Sequence, residues 1–481
     1  MYRAYVTVLT NVRKHPNADR LLLADVFGNT VCVSTEYSEG QLGVYFPTDG
    51  QLSTEFAEKN NLLRKKDDSG NNIGGYMDPD KRNVTAIRLR GEKSDGLFLP
   101  ISCLNYCYAH GDASIELQLG DMIDGVVNGH EICCKYIPRT QNRHGKVTDG
   151  NKTRKKKVPT APLFAEHADT EQLAYNLGAF KAGDEIEITL KMHGTSQRTG
   201  YLPVFKGYKD NIWGKLLKVI KPTYEFDKKV IAWIEKHATP VYDWGYVSGT
   251  RRVVLENYEG GFYGDNQFRE QHSKVFEGKL NKGETVYYEV VGFTSTGAPI
   301  MGDANNKKLN DKEFIKQYGE TTRFSYGCEP EASTTWKFDE DGNDMTLIGR
   351  TKQSDIYVYR MTMTNEDGFV VEYTPDFMRY RCEQMGVKTV PAFWKGTIEG
   401  KRIENNEITP GEWIKNIAEG FYDGPDPIGK THIREGVVVR IINRPKFCAY
   451  KHKNFSFKVL EGIIKDTAAA PDMEEAQEVS E

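Results

Sequence analysis

The sequence predicts a multi-domain protein in which a small N-terminal β-barrel precedes a larger α+β domain. The chain has 481 residues, which is enough for two or three domains and a sizeable core. Residues 1–137 contain several short, apolar, strand-like runs, and a polar and basic stretch follows at residues 138–160. Beyond it, strand-like alternation and helical spacing both occur.

The N-terminal region is predicted to be rich in β-structure. Turn residues at Gly28-Asn29 and Asp49-Gly50 separate the apolar runs. The strand candidates are residues 5–9, 21–26, 31–33 and 43–46. Several short strands in so few residues indicate a small barrel.

Charge is distributed unevenly along the chain. The formal net charge is −4, which does not by itself indicate a nucleic-acid partner. Residues 138–157 carry eight Lys or Arg against one Asp, which is typical of a linker that contacts RNA phosphates or is simply solvated. Residues 466–481 carry six acids and no base, and we expect an acidic disordered tail there.

Cysteine usage and hydropathy point to a cytosol-like compartment. The eight cysteines are scattered without a Cys-x-x-Cys pair, so reduced thiols are favoured over a zinc site. No apolar run reaches the length of a membrane span, and the N-terminus does not read as a signal peptide. We expect a monomer without a membrane partner, located in the cytoplasm, or in the host cytoplasm if the source is a virus.

A helical insertion is predicted over residues 205–240. Apolar residues recur there at helical spacing, and Pro222 stops the pattern. They are Ile212, Trp213, Leu216, Leu217 and Ile220. The lysine-rich faces of this segment are either solvated or flank RNA.

The stretch that organises the larger domain is Glu185 to Arg198. Apolar and polar residues alternate up to Lys191, so Ile186, Ile188 and Leu190 share one face of a predicted strand. Lys191 closes the polar face, and Gly194 allows a tight turn and a close approach to the backbone. A lysine beside a small-residue turn suits an amine nucleophile with room for a phosphate.

The Lys191-Met-His-Gly-Thr195 stretch resembles the nucleotidyl-lysine motif of the ligase and capping-enzyme superfamily. The histidine, His193, is similar to RNA ligases, whereas DNA ligases and capping enzymes usually carry aspartate there. Leu190 departs from the acidic residue common before the lysine, which puts recognition of the adenine edge at that position in doubt.

Further stretches resemble the later motifs of that superfamily, in the required order. Tyr246 to Arg252 is similar to the basic motif that follows the nucleophile. Thr285 to Gly292 is a predicted strand bearing one carboxylate, Glu289, amid apolar neighbours, where a charge is costly without a partner. Ile356 to Met361 alternates, so Tyr357 and Tyr359 are predicted to share a face.

The last two motifs follow at Arg434 to Arg440 and at Lys451 to Lys458. Glu435 begins the first of these predicted strands. Lys451 and Lys453 are two residues apart, so on a strand both ammonium groups point the same way. Two cations on one face suit a triphosphate and an attacking oxygen.

The whole pattern is most similar to the Naegleria-type clade of ATP-dependent RNA ligases, which carry an N-terminal OB-like domain. His15 to Leu21 and Val84 to Pro100 resemble tRNA-binding OB-type domains and the OB-like module of that clade. The resemblance implies an OB-like RNA-binding module at 1–137 and a basic linker at 138–160. It further implies an α+β nucleotidyltransferase domain of antiparallel sheets flanked by helices at 161–465.

The resemblance also implies site roles. It assigns catalysis to Lys191, Lys451 and Lys453. It assigns nucleotide contacts to His193, Gly194, Arg198, Arg251, Glu289, Tyr357, Tyr359 and Glu435, with Tyr359 preferred over Tyr357 for stacking on adenine. It assigns a divalent metal to Glu435, Glu289 and Asp169, although Asp169 is also a candidate N-cap for a helix predicted over 171–177.

The implied activity is ATP-dependent joining of RNA 3′-hydroxyl and 5′-phosphate ends through a lysyl-AMP, with Mg²⁺ or Mn²⁺. The implied substrates are nicked duplexes or broken tRNA-like ends. Two alternatives stay open: a non-catalytic tRNA-binding protein, suggested by residues 15–21 and 84–100, and a DNA ligase or capping-type nucleotidyltransferase.

Overall fold

The structure is a computed structural model, and only part of the chain is described here. The described residues are 2–66, 69, 72–137, 160–219, 230–231, 233–235, 237–255, 258, 263, 266–338, 345–399 and 408–466. The predicted linker, apart from Thr160, and the predicted acidic tail, apart from Asp466, lie outside the described residues.

In its described residues the N-terminal region contains short strands, the α-helix α1 (Thr54–Lys59) and 3₁₀ helices at Ile101–Cys107 and Ala113–Ile115. The strands are Ala4–Val8 (β1), Thr10–Lys14 (β2), Leu21–Val26 (β3), Asn29–Ser34 (β4), Leu42–Phe46 (β5), Gly50–Leu52 (β6), Lys65–Lys66 (β7), Asn72–Gly74 (β8), Asn83–Val84 (β9), Ala86–Leu89 (β10), Glu92–Asp95 (β11), Leu97–Pro100 (β12), Met122–Ile123 (β13), Val126–Val127 (β14), His130–Glu131 (β15) and Cys133–Lys135 (β16). All four strand candidates of the sequence analysis are therefore confirmed.

The turn between β3 and β4 shows why a turn could be predicted at this position. Val26 pairs with Asn29, which leaves Phe27 and Gly28 as the two central residues of the hairpin. Both have positive φ, 51° and 75°, as a two-residue type I′ turn requires.

The N-terminal strands pair in several small sheets. The larger ones have the orders β12-β5-β1-β13, β2-β3-β4 and β16-β6-β9, and β10 pairs with β11 as a hairpin. These strands enclose two buried clusters, one including Phe46 and Phe56 and the other including Tyr45 and Phe98. The hydrogen-bonded pairs of the described residues do not join into one closed barrel, so the OB-like assignment stays a prediction.

The larger region combines long strands with few helices. Its strands are Glu171–Gln172 (β17), Glu185–Lys191 (β18), Thr195–Tyr208 (β19), Pro240–Gly249 (β20), Val254–Leu255 (β21), Glu284–Gly292 (β22), Ala304–Asn305 (β23), Thr321–Thr322 (β24), Thr334–Phe338 (β25), Met345–Arg350 (β26), Ser354–Thr364 (β27), Val370–Glu372 (β28), Lys388–Thr389 (β29), Ala392–Thr397 (β30), Gly436–Ile441 (β31) and Cys448–Lys453 (β32). Its helices are Ile212–Val219 (α2), Gln267–Lys274 (α3), Lys312–Tyr318 (α4), Pro375–Met385 (α5), Pro410–Glu419 (α6) and Phe455–Asp466 (α7).

Two predominantly antiparallel sheets form the body of this region. One has the order β17-β32-β31-β18-β30, and the other has the order β21-β20-β19-β22-β27-β28, with β29 also pairing with β27. Parallel pairing is found for β17 with β32 and for β27 with β29. The predicted multi-domain α+β fold with antiparallel sheets is confirmed at this level of description.

The chain passes from one sheet to the other immediately after Lys191. Strand β18 belongs to the first sheet and β19, starting at Thr195, belongs to the second. Ile186, Ile188 and Leu190 are at most 2% exposed, which confirms the predicted apolar face. The polar face ending in Lys191 therefore lies beside the crossing between the sheets.

Two local predictions are wrong in detail. The helical insertion was placed at 205–240, but β19 continues to Tyr208 because Phe205 and Tyr208 still pair with Tyr242 and Pro240. The helix predicted over 171–177 is not an α-helix: this segment forms the short strand β17, which pairs with β32, followed by 3₁₀ turns. The backbone of residues 171–172 pairs with strand β32, so its hydrogen-bond partners come from another part of the chain.

None of the described helices is both long enough and apolar enough to cross a membrane. All eight cysteines lack a disulfide partner, in agreement with the expected reduced thiols.

The core of the first sheet leads us to expect that a buried substitution destabilises the protein and that an exposed one does not. Ile188 is 0% exposed and lies in a cluster with Ile186, Ile414 and Val439. We expect Ile188→Ala to lower the free energy of unfolding by about 2–5 kcal/mol, since it removes buried methyl groups and leaves a cavity. Chemical denaturation measures this.

The control is Ile212→Ala, because Ile212 is 70% exposed. It should change the free energy of unfolding by no more than about 0.5 kcal/mol. Equal losses for the two variants would contradict the assigned core.

Candidate active site

Three lysines lie on one face of the first sheet. Lys191 is opposite Gly436 on β31, and Gly436 is opposite Lys453 on β32. Lys451 lies one row away, opposite Val438. Since residues in register across neighbouring strands share a face, the ammonium groups of all three lysines converge.

Gly436 lets this row form. Its φ is +147°, and a Cβ built there would lie 2.1 Å from the carbonyl oxygen of His452. Any side chain would therefore separate β31 from β32.

Glu435 is the carboxylate at the centre of the cluster. Its Oε1 lies 2.8 Å from Nζ of Lys191 and 3.3 Å from Nζ of Lys453, and its side chain is 1% exposed. Burial raises the pKa of Glu435, but Lys191 and Lys453 outweigh burial and hold the pKa below its ordinary value. Glu435 is thus a buried anion at neutral pH.

Lys451 and Lys453 differ in their surroundings. Burial, together with repulsion from Lys453 and Lys191, lowers the pKa of Lys451 to about 8. Lys453 instead contacts a second carboxylate, with Nζ 2.7 Å from Oε2 of Glu461 on α7. Sequence reasoning missed Glu461, although its position in the helix just after Lys453 was a signal.

His193 anchors the crossing between the sheets. Its ring lies between the rings of Phe324 and Phe457, with centroids 4.7 Å and 4.8 Å away, and its backbone N–H donates to the hydroxyl of Tyr326 at 2.7 Å. Burial lowers the pKa of His193 to about 4, although Glu435 opposes this effect. The imidazole is therefore neutral and fixes the turn by packing.

Gly194 is needed for space and not for an unusual backbone angle. Its N–H donates to Oε1 of Glu289 at 3.1 Å, and a Cβ would lie 2.4 Å from the carbonyl oxygen of Val290. The predicted close approach to the Gly194 backbone is present, but the approaching group is strand β22. Glu289 thereby holds the turn that carries Lys191.

The two candidate tyrosines differ because of a β-bulge. Tyr357 pairs with Glu289, whereas Arg360 already pairs with Tyr287, so Tyr359 is the extra residue and the simple alternation expected for this strand is broken. Tyr357 is 4% exposed, and Nζ of Lys388 lies 5.3 Å from its ring centroid. Tyr359 is half-buried and its hydroxyl hydrogen-bonds that of Ser196 at 2.8 Å.

Arg198 does not present its guanidinium to the site. The residue is 1% exposed; Nε donates to the carbonyl of Thr250, and Nη1 donates to the carbonyls of Phe164 and Ala165. The Arg198 guanidinium also stacks 4.0 Å from the centroid of the Phe164 ring. In this structure Arg198 holds the 164–165 backbone, which corrects its assignment to a nucleotide contact.

Asp169 lies in an arginine pair and not with the other carboxylates. Its two oxygens accept from Arg251 at 2.6 Å and Arg252 at 2.7 Å. Both arginines lower the pKa of Asp169, against the raising effect of burial. The structure therefore does not bring together the predicted metal set of Asp169, Glu289 and Glu435, and it gives Asp169 no helix to cap.

A second polar cluster lies near Tyr359 and was not predicted. Arg360 pairs with Glu372, donates to Nδ1 of His167 at 3.1 Å and stacks between the rings of Tyr287 and Phe447. Burial, with Arg251 and Arg360, keeps the pKa of His167 well below its ordinary value. Its place two residues before Asp169 was the one sequence signal.

Glu435 offers a carboxylate oxygen that would suit a divalent metal ion. Among the described residues, no three His, Cys, Asp or Glu side chains gather as a metal cage. Oε2 of Glu435 is nevertheless buried without a hydrogen-bond partner and can accept a cation. Mg²⁺ is usually held in this way, by one or two carboxylates plus phosphates and water.

No protein-family profile and no curated protein sequence matches the chain. Solved structures do match. The chain shares the fold of an RNA ligase. A point mutant of Naegleria gruberi RNA ligase with ATP and Mn superposes with a TM-score of 0.51 at 15% identity, covering 95% of this chain and 98% of that chain.

Other forms of the same ligase agree. A second mutant with ATP and Mn gives a TM-score of 0.52 at 15% identity, covering 95% of this chain and 98% of that one. The ligase with PPi gives 0.50 at 16% identity, covering 94% and 97%. The shared fold therefore spans nearly the whole of both chains.

The buried His193 predicts an acid-sensitive site. Between about pH 6.5 and pH 4 the unfolded chain binds a proton at this histidine and the folded chain does not, so stability falls as pH falls through this window. The loss should be on the order of 3 kcal/mol by pH 4, since each pKa unit corresponds to about 1.4 kcal/mol.

The measurement is chemical denaturation of wild type and His193→Phe from pH 8 to pH 4. The variant lacks the titrating ring, so the difference in unfolding free energy should shift in its favour as pH falls. A difference that stays constant with pH would contradict the assignment.

Proposed function

We propose that this protein is an ATP-dependent RNA ligase that joins a 3′-hydroxyl and a 5′-phosphate RNA end. The observation that carries the proposal is the contact of Lys191 with the buried Glu435, with Lys451 and Lys453 on the same sheet face. The fold shared with a ligase solved with ATP, Mn and PPi supports it.

In the first step Nζ of Lys191, after losing a proton, attacks the α-phosphorus of ATP. An N–P bond forms, the bond from that phosphorus to the bridging oxygen breaks, and pyrophosphate leaves. Lys451 and Lys453 neutralise charge on the phosphates, which is the main contribution that a protein makes to phosphoryl transfer. Glu435 holds the Lys191 amine in position beside them.

In the next two steps the adenylate moves to RNA and is released. An oxygen of the RNA 5′-phosphate attacks the lysine-bound phosphorus, the N–P bond breaks, and Lys191 takes a proton as it leaves. The 3′-hydroxyl of the other end then attacks the adenylated 5′-phosphate and loses its proton. A phosphodiester forms and AMP departs.

A bound Mg²⁺ or Mn²⁺ would neutralise charge on the phosphates, and Glu435 is the residue best placed to hold it through Oε2. Glu289, which accepts from the Gly194 N–H, keeps the turn beside it in place. Arg251 and Arg252 now hold the Asp169 carboxylate. A phosphate oxygen offers the same two arginines an equivalent anionic partner.

The geometry favours Tyr359 over Tyr357 for stacking on adenine. Tyr359 is half-buried next to Ser196, which is opposite Glu289, whereas Tyr357 is packed in the core. We propose nicked duplexes or broken tRNA-like ends as substrates, and a monomeric cytoplasmic enzyme.

The nucleotide test separates an ATP-using ligase from a GTP-using capping enzyme and from a non-catalytic protein. On incubation with Mg²⁺ and each of ATP, GTP and NAD, intact-mass measurement should show added AMP with ATP and no added GMP with GTP. Lys191→Ala and Lys191→Arg should both abolish the added mass, because neither side chain supplies the amine nucleophile.

Lys181→Ala is the matched control, since Lys181 is an exposed lysine outside the cluster, and it should be labelled like wild type. A wild-type protein that takes up no nucleotide but binds RNA would support the non-catalytic tRNA-binding alternative. Labelling by GTP would point to a capping-type enzyme.

The proposed stacking of Tyr359 on adenine predicts that the KM for ATP depends on the ring at this position. Tyr359→Ala should raise the KM for ATP at least about fivefold, because stacking on a base contributes about 1–3 kcal/mol. Tyr359→Phe keeps the ring and loses only the hydroxyl bond to Ser196, so its KM should stay near the wild-type value. Equal effects of the two substitutions on steady-state KM would refute the stacking role.

A further inference from the structure

Helix α7 connects Lys453 to the N-terminal region. The helix begins at Phe455, two residues after Lys453, and carries both Lys458 and Glu461. Residues three apart lie on neighbouring positions of a helix surface, so these two side chains emerge side by side. Glu461 reaches back to Lys453 at 2.7 Å, and Lys458 reaches forward to Asp95 at 2.6 Å.

The contact with Asp95 is buried. The side chains of Asp95 and Lys458 are 5% and 12% exposed, and those of Glu461 and Lys453 are 11% and 10% exposed. Screening by solvent is weak at such sites, and removing one partner leaves an uncompensated buried charge. Both ion pairs therefore constrain geometry more than an exposed pair does.

The hairpin β10–β11 ends at Asp95, and it contacts helix α7 at further positions. Its Arg88 and Lys93 both lie over the ring of Phe455, with the cations 5.8 Å and 5.3 Å from the centroid. Arg88 also pairs with Asp311 at 2.9 Å. We call β10–β11 the docking hairpin.

The residues of α7 that face the docking hairpin and the residue just before it form a single stripe along the helix. Phe455, Lys458 and Gly462 follow the spacing i, i+3, i+7, and a Cβ at Gly462 would come within 3.8 Å of Thr85. The opposite face buries Phe457 and Leu460, both 0% exposed, and the Phe457 ring packs on His193. A shift of the hairpin is therefore passed to both Lys453 and the turn that carries Lys191.

We propose that Glu461 is a positioning residue for Lys453, and that the N-terminal region controls it through the Asp95–Lys458 contact. Lys453 has two carboxylate partners, Glu435 at 3.3 Å and Glu461 at 2.7 Å. Glu461 sets the direction of the ammonium group, and the docking hairpin sets the position of the helix that carries Glu461.

The inference has two readouts, of which only the kinetic one rests on the proposed ligase function. The kinetic readout is steady-state joining of RNA ends with ATP, which passes through lysine adenylylation, in Glu461→Gln and Asp95→Asn. Each should lower kcat about tenfold, a usual loss when a partner that orients a functional group is removed. The KM for ATP should change less than about twofold, because the other phosphate contacts remain.

Matched variants separate positioning from folding. Glu461→Asp keeps the charge and should recover part of the rate. The double variant Asp95→Lys with Lys458→Asp restores an ion pair with reversed signs and should recover activity that Asp95→Asn loses. Asp25→Asn is the control, because Asp25 pairs with Arg13 within the N-terminal region and away from the hairpin, and it should behave as wild type.

The chemical readout needs no ATP. Competitive acetylation with acetic anhydride, quantified by peptide mass spectrometry, measures the reactivity of the Lys453 amine in the full chain. Both Glu461→Gln and Asp95→Asn should raise the acetylation rate of Lys453 severalfold while Lys181 is unchanged, because each loosens the contact with Glu461 that covers the Lys453 amine.

The outcomes are distinguishable. Raised Lys453 acetylation in both variants supports the inference even if wild type takes up no AMP, a result that would sink only the ligase proposal. Unchanged acetylation and unchanged kcat in Asp95→Asn overturn control by the N-terminal region. Loss of kcat that the reversed pair does not recover, without a change in acetylation, overturns it as well.

Discussion

The pairing of Glu435 with Lys191 inside the protein is the contact on which the rest of the site depends. A carboxylate that is almost fully buried is tolerated because two ammonium groups lie within 3.3 Å of it. Those ammonium groups are themselves brought together by sheet register, with Gly436 leaving the space between them. The strand order therefore brings together the charges that the buried carboxylate needs.

Lys191 and Lys451 are both candidates for the amine nucleophile. Burial and the neighbouring Lys453 and Lys191 lower the pKa of Lys451 to about 8. Lys191 instead ends the strand at the crossing between the sheets, beside the Gly194 turn where a phosphate has room. Its position assigns Lys191 as the proposed nucleophile, with Lys451 as the cation beside it.

The N-terminal region contributes contacts that its sequence did not suggest. Residues 84–100 resemble tRNA-binding OB-type domains in sequence, yet Arg88, Lys93 and Asp95 contact α7 and Asp311. Arg88 and Lys93 of this hairpin make intramolecular contacts, although Lys93 is also exposed. The region contacts the helix that carries Glu461, whether or not another of its faces contacts RNA.

Much of this arrangement could be predicted because it follows from local pattern. The alternation from Glu185 to Lys191 fixes the buried face, and the two-residue spacing places Lys451 and Lys453 together. Features set by neighbouring strands could not be predicted. The bulge at Tyr359 and the space needed at Gly194 arise from β22. The burial of Arg198 under Phe164 also depends on a contact across the fold.

The most direct test of the account is peptide mapping of the protein after incubation with ATP and Mg²⁺, to find which amine carries AMP. We expect AMP on Lys191 alone. AMP on Lys451, or none on either lysine, would contradict it.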